Sequence, residues 1–373
     1  MNSQWIGKHK NELDTPALII DFDKLKDNIQ KMNAFGISHS VHIRPHCKTH
    51  KCSKIALLQE ASGAIGISAA KLSEAEVLID SEIQSILLTS PVVSPAKFPR
   101  LLSCIKKAKE LILVLDHIEN AKALNHLALE NQLVIKVLVD IDGGIGRTGV
   151  SFENALEFAK LIHEFKGLSL QGIQCYAGHL QHVQDFAERK NLSLTVMKKA
   201  AQMRQTFLET GLNALILTGT GTGTYDIDVE AQVTEIQPGS YAVMDVEYAK
   251  IGSIKHPEQF IDFKHAMTLI TSVLSKNQKG HVTVDAGTKS IYVDAQHCPQ
   301  IISHPNLEYS WGGFGDEHGK IFGVGVEQLK LGEIIEMIVP HCDPTINLYD
   351  QFFVLNNDRV IDIWEIDMRG CSQ

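Results

Sequence analysis

Six short stretches of this 373-residue sequence gather side chains that can do chemistry. The first, HIRPHCKTHK from His42 to Lys51, crowds three histidines, two lysines, an arginine and a cysteine around Pro45. His42, His46 and His50 recur every four residues, a spacing that on a helix would line one face and could hold a metal. Pro45 argues against that helix, because it has no N–H to donate and drives Arg44 toward extended backbone. In the extended reading a strand ends near Cys47 and delivers Lys48 to its carboxyl end. A lysine hemmed in by His, Arg and Lys loses its proton more readily than a solvated one, as a Schiff-base lysine must. The alternative is that Lys48 and Lys51 only begin a solvated helix, and the work of the three histidines stays open.

The other stretches add anion and metal chemistry. VDIDGGIGRTG (139–149) offers glycines that admit close backbone approach, and Arg147, which can grip an anion or a ring oxygen. It lacks the GxGxxG strand-turn-helix context of a dinucleotide site, and it is equally compatible with a flexible loop. QCYAGHLQH (174–182) presents Tyr176, His179 and His182 for stacking and proton transfer, or for structural hydrogen bonds. LTGTGTGTYD (217–226) and IQPGSY (236–241) combine small residues with hydroxyls. Such loops form concave anion sites, and the missing GKS/T ending excludes a P-loop, which points to a phosphate-bearing cofactor. In VPHCDPTINLYD (339–350), extended geometry puts His341 and Asp343 on one face and Cys342 on the other. That pair can hold a divalent cation, unless the stretch is an ordinary turn.

The elements that must position these groups alternate. ALIID (17–21) predicts a first buried strand and LKDNIQKMNAF a helix; VHIRPHC and six further apolar runs follow, nearly all divided by helical patterns, which makes eight strands before a last strand-like VTEIQPGSYAVMD. The class is α/β, and the beat fits a (β/α)8 TIM-like barrel whose functional residues sit after the strands; a doubly wound open sheet is the alternative. After about residue 250 the pattern turns short and β-rich. The expected organisation is therefore a barrel over 14–248 and an all-β domain over 249–373 that residues 1–13 join. A net charge of −9 argues against nucleic acid or an anionic membrane as partner and favours a small molecule. No apolar run of ~18 residues and no secretory leader is evident, so the expected location is the cytoplasm. Seven cysteines without a CxxC predict reduced, mostly buried thiols.

In their order, TPALIID, RPHCKTHK, GRTG, YAGHLQH, TGTGT, QPGSY and HCD resemble the D-threonine aldolase and D-serine dehydratase family over Thr15 to Asp350. These are pyridoxal-phosphate enzymes of alanine-racemase-like fold, with a barrel followed by a β domain. The resemblance implies that Lys48 carries the cofactor, that Arg147 lies near its ring with Tyr176 and His179 flanking it, and that Thr220, Gly221, Thr222, Gly239 and Ser240 bind its phosphate. Gln237 falls where the racemases place an arginine facing the pyridine nitrogen. His341 and Asp343 fall at the metal site. Aldolase members carry His-x-Asp with manganese or magnesium and dehydratase members His-x-Cys with zinc, so Cys342 leaves zinc open. The implied activity is retro-aldol cleavage of a D-β-hydroxy-α-amino acid such as D-threonine, with His182 as general base. The alternative is dehydration of D-serine or 3-hydroxyaspartate; a racemase or a non-catalytic cofactor-binding protein follows. Related enzymes are homodimers.

Overall fold

The computed structural model describes residues 2–293 and 296–373. The chain divides into two compact units, one comprising Lys31–Lys48, Ser53–Gly239 and Cys371–Gln373, the other the chain up to Gln30, Thr49–Cys52 and Ser240–Gly370. Among the described residues no helix is long and apolar enough to cross a membrane. All seven cysteines are free thiols and five are buried.

A strand whose apolar residues are all buried cannot be assigned to a sheet by periodicity alone, and β1 (Ala17–Asp21) shows it. The sequence makes it the first barrel strand. Instead it belongs to the second unit, antiparallel to β10 and parallel to β16.

The barrel strands are β2 (His42–Ile43), β3 (Ile67–Ala69), β4 (Ser85–Leu88), β5 (Glu110–Leu115), β6 (Ile135–Asp142), β7 (Leu168–Tyr176), β8 (Ile216–Thr218) and β9 (Glu235–Ile236), so the TEI of VTEIQPGSY supplies the eighth. Strands β3 to β8 form a parallel sheet in sequence order, and β2 pairs with β9. Backbone bonds on both edges of β2 close the circuit. His42, Arg44 and His46 donate to the carbonyls of Thr234, Ile236 and Pro238 at 3.0, 2.9 and 3.1 Å. In the other phase, Ile65 and Ser68 donate to Ile43 and Pro45, and Cys47 donates to Ser68, at 2.8 to 2.9 Å. Thr234 donates to Leu217 and Gln237 to Thr220, tying β9 to the β8 segment. A buried ion pair, Arg44 Nε to Glu235 Oε2 at 2.5 Å, spans β2 and β9. Helices α1 (Phe22–His39), α2 (Ser53–Ala61), α3 (Leu72–Asp80), α4 (Phe98–Lys107), α5 (Ile118–Glu130), α6 (Phe152–His163) and α7 (Phe186–Glu209) separate the strands. Their apolar faces follow the 3.6 period: α6 buries Ala155, Phe158, Ala159 and Ile162.

The second unit adds α8 (Val246–Ala249), β10 (Met267–Ser275), β11 (His281–Val284), β12 (Gln300–Ile301), β13 (Leu307–Ser310), β14 (Gly319–Gly323), β15 (Ile334–Ile338), α9 (Cys342–Ile346), β16 (Gln351–Asn356) and β17 (Arg359–Glu365). Its main sheet runs β13-β14-β11-β10-β1-β16-β17, with β15 paired to β10 and β12 to β15. Leu13, Ala17, Ile19, Ile270, Phe353, Leu355 and Val360 form one core cluster of this unit.

A bulge in β7 sets the register of the barrel rim. Val137 pairs with Leu170 but Leu138 with Gly172, so Gln171 is the extra residue, and beyond it Asp140 lies opposite Gln174 and Asp142 opposite Tyr176. Gly172 adopts φ +145°, and a Cβ there would stand 2.0 Å from the Ile216 carbonyl oxygen. Gly172→Ala must therefore move the backbone of β8 as well as strain its own, and it should cost about 3 kcal/mol. A denaturation midpoint equal to the parent's would show that the bulge does not need its glycine.

Candidate functional site

Lys48 follows the last rung that β2 makes with the β9 segment. Its backbone N–H donates to His46 Nδ1 at 3.3 Å, His46 Nε2 meets Thr89 Oγ1 at 3.1 Å, and Thr89 Oγ1 donates to the Ala69 carbonyl at 3.1 Å. His46 is thus a strut beneath the lysine. His50 Nδ1 accepts from the Cys52 N–H at 3.2 Å, whereas His42 is exposed. The three histidines lie on strand, bridge and turn and do not share a helical face.

Around the rim, the loop after β6 folds over Asp142, whose Oδ1 accepts from Gly144 and Gly146 N–H groups at 2.9 and 3.0 Å. It carries an exposed Arg147 whose guanidinium stands 5.7 Å from the Tyr176 ring centroid. His179 is exposed and lies alongside Gly144; His182 is half-buried. Gln237 is buried and donates from Nε2 to Thr218 Oγ1 at 2.9 Å and, more weakly, to Gln174 Oε1 at 3.5 Å. Gln174 in turn donates to the Thr89 carbonyl at 3.0 Å and to Asp140 Oδ1 at 2.9 Å, and Thr148 donates to Asp140 Oδ2 at 2.8 Å. Burial pushes the Asp140 carboxyl up to about 6 in spite of these two donors.

The TGTGTGT loop alternates buried threonines with glycines that could not be larger. A Cβ on Gly219, Gly221 or Gly223 would meet the Cys175 carbonyl, the Gln181 amide or the Gln181 carbonyl at 1.9, 2.4 and 2.0 Å. The loop is braced from behind. Gln181 accepts from Gly223 N–H and donates to Thr224 Oγ1, both at 3.0 Å; Arg189 Nε donates to the Gly223 carbonyl at 2.9 Å; Asp228 accepts from Thr224 and Ser193 at 2.8 and 2.6 Å. Against this satisfied side, the buried Thr220 hydroxyl has no partner of good hydrogen-bond geometry among the described residues, although the Asp228 carboxylate lies near it. Such a hydroxyl in a small-residue loop fits a phosphate oxygen, which can accept its proton. Thr222 is buried in the same loop, Gly239 ends this unit and Ser240 begins the next.

The metal candidates lie within the second unit, and their geometry differs from the extended one expected. His341 is the N-cap of α9 with φ −140° and ψ 127°, so Cys342 and Asp343 are helical. Pro344 sits in the first helical turn, where its missing N–H costs no bond. Asp245, the N-cap of α8, reaches this segment: its Oδ2 lies 2.9 Å from His341 Nδ1 and accepts from Cys342 N–H at 3.0 Å. Glu247 Oε2 stands 3.3 Å from His341 Nδ1, and Cys342 Sγ donates to Asp343 Oδ1 at 3.4 Å. Ligating atoms of Asp245, His341 and Cys342 all fall within 4.8 Å of one another. Burial lowers the His341 pKa, but the Asp245 hydrogen bond and the charges of Asp343, Asp245 and Glu247 outweigh it and push it up to about 9. Burial, then the charges of Asp245 and Asp343, push the Cys342 thiol well above its ordinary value. An imidazole ringed by three carboxylates fits a divalent cation.

Sequence reading passed over Gln181, Arg189, Asp228, Asp245 and Glu247. Only the acidic pair in MDVEY (244–248), two residues after QPGSY, carried a visible signal.

Residues 20–246 match the alanine racemase N-terminal domain, and residues 266–355 a putative serine dehydratase domain. The chain is 34% identical to D-threonine aldolase from Arthrobacter sp over 97% of its length and 94% of that protein. It is 32% identical to 3-hydroxy-D-aspartate aldolase from Paracoccus denitrificans (strain Pd 1222), over 98% of the chain and 94% of that protein. The crystal structure of D-threonine aldolase from Filomicrobium marinum superposes with a TM-score of 0.92 at 34% identity, covering 99% of this chain and 98% of that one. With a parallel barrel, a β-rich second unit and matches along nearly its whole length, the chain belongs to the D-threonine aldolase and D-serine dehydratase family of alanine-racemase-like enzymes.

Proposed function

We propose that this protein is a pyridoxal-phosphate-dependent lyase that cleaves the Cα–Cβ bond of D-β-hydroxy-α-amino acids, D-threonine among them, to glycine and an aldehyde. The observation that carries the reading is the end-to-end likeness to D-threonine aldolase at 34% identity. Pyridoxal phosphate, which the family implies, supplies an electron sink for the pair left on Cα when that bond breaks.

Lys48 carries the cofactor, on a backbone that His46 supports. Thr220 and Thr222, with Gly221, Gly239 and Ser240, hold the phosphate. Arg147, Tyr176 and His179 would contact the ring, and Gln237 would offer it a neutral amide. His182 removes the proton of the substrate β-hydroxyl. His341 and Asp343 would hold a divalent ion, which would supply Lewis-acid chemistry toward a hydroxyl. The donor set favours manganese or magnesium: carboxylates surround His341, and the Cys342 thiol keeps its proton for Asp343. The barrel expected over 14–248 starts only after β1, which belongs with the β-rich unit of residues 1–30 and 240–370, and the enzyme works as a homodimer.

A second reading rests on Cys342, which lies within the convergent group. Zinc on His341 and Cys342 would suit a dehydratase acting on D-serine or D-3-hydroxyaspartate, with Lys48 taking the Cα proton. Incubation of the holoenzyme plus manganese with D-threonine and with D-serine separates the two. Acetaldehyde with glycine is the expected outcome, lost on chelation and restored by the metal; pyruvate with ammonia from D-serine alone would install the dehydratase. His182→Ala should lower kcat on D-threonine by about 10²–10⁴-fold, the range of a general base, and an unchanged kcat would remove it from that role.

Thr220→Val separates the phosphate reading from mere packing. Because the buried hydroxyl makes no hydrogen bond of good geometry, its loss should leave the melting temperature of the cofactor-free protein near the parent's. Cofactor affinity should nevertheless fall about tenfold, the worth of one hydrogen bond to a charged acceptor. Equal affinity in titrations of the two proteins would exclude Thr220 from the phosphate site.

A further inference from the structure

The proposed metal site on His341 leaves a question of which ring nitrogen coordinates, and the surrounding bonds answer it. A carboxylate only accepts, so the imidazole nitrogen 2.9 Å from Asp245 Oδ2 must carry the proton. That nitrogen is Nδ1, and Glu247 Oε2 faces it too, at 3.3 Å. In the neutral ring that a metal binds, the lone pair is then confined to Nε2, the far side of the ring.

Asp245 is itself spoken for. Its Oδ2 also accepts from the Cys342 N–H at 3.0 Å, and its Oδ1 accepts from the Tyr248 N–H at 2.9 Å. Its side chain is 0% exposed, whereas that of His341 is 23% exposed. An ion arriving from solvent reaches the imidazole, and to reach Asp245 it would have to displace backbone donors on two helices. The separation of the two residues is fixed by main chain: Val246 and Glu247 donate to the carbonyls of Val339 and Pro340, both at 3.1 Å, locking the start of α8 beside the segment that ends in His341.

We propose that Asp245 is the positioning residue of this site, holding His341 by Nδ1–H so that Nε2 is presented to the metal, and that it does not bind the ion itself. The inference rests on the metal reading above.

Two variants test it. Asp245→Asn keeps the shape and the cap on Tyr248, and Asp245→Ser keeps a capping hydroxyl but cannot span to His341. Manganese binding to the wild-type holoenzyme and to both variants is followed by electron paramagnetic resonance of free Mn²⁺. The ¹⁴N hyperfine coupling of a coordinated imidazole is read at saturation. The expected result is a dissociation constant about 10–100-fold higher in both variants, the usual effect of removing a partner behind a metal-bound histidine, with a weakened ¹⁴N coupling. Cofactor absorbance should stay near the parent's, which a generally disrupted fold would not allow. Manganese binding as tight as wild type in both variants, with the same coupling, overturns the inference and leaves the metal reading standing. A wild-type protein that binds neither manganese, magnesium nor zinc overturns both.

Discussion

The hydrogen bonds on the two edges of β2 decide where Lys48 stands. The short β2 segment must satisfy a neighbour on each side, and it does so by phase. Even-numbered residues give their N–H groups to the β9 segment, while odd-numbered ones serve the β3 segment. Pro45 falls in the phase where its carbonyl is used, by Ser68, and a slip of one residue would place it where the β9 side needs a donor. The register is therefore pinned, and the chain leaves the ladder at His46 in a single way. His46 then holds the Lys48 N–H, so the backbone on which the lysine is carried is set by strand pairing and one imidazole strut.

In the second unit the ordering element is a carboxylate. Burying Asp245 would ordinarily raise its pKa, yet the His341 hydrogen bond and charge, with the Tyr248 and Cys342 N–H donors, hold it below the usual carboxylate range. Both α8 and α9 begin at residues of this cluster, Asp245 and His341, so two helix N-termini and their free N–H groups are spent on one anion. The further carboxylates of Glu247 and Asp343 give the site a surplus of negative charge that a divalent cation would relieve. The same helical geometry explains why Asp343 stays close to Cys342, accepting its thiol proton, when a strand would have set the two on opposite faces.

What the sequence revealed was chemistry confined to a few consecutive residues. Pro45 excluded a helix, and the strand that ends before Lys48 is there. Glycines alternating with threonines announced a tight polar loop, and each glycine is required by a neighbour closer than a Cβ allows. What stayed hidden depends on residues far apart in the chain. ALIID is as apolar as any barrel strand, and only its partners Met267–Ile270 and Phe352–Leu355 show where it belongs. Gln181, Arg189 and Asp228 are ordinary polar residues until the fold puts them behind the threonine loop. At 341–343 the local rule failed for a nameable reason: Pro344 disfavours helix for the residue before it, but an N-terminal helical turn tolerates proline, and capping by His341 decided the outcome.

The bulge at Gly172 links the barrel's framework to the polar chain at its rim. Before the bulge, β7 pairs with β6 in one register; after it, Gln174 comes opposite Asp140 and can reach its carboxylate. The Thr89 carbonyl and the Asp140 oxygen both accept, so the Gln174 amide must turn its NH2 toward them and its Oε1 toward Gln237. Gln237 must then direct its own NH2 inward, to Gln174 and Thr218. Its Oε1 is the amide atom left outside this chain of bonds. The polarity of a buried amide at residue 237 is thus dictated two residues upstream in the network, by a main-chain carbonyl that cannot donate. A glycine with positive φ, which strand patterning alone would count as a weakness, is what brings that carbonyl's partner into register.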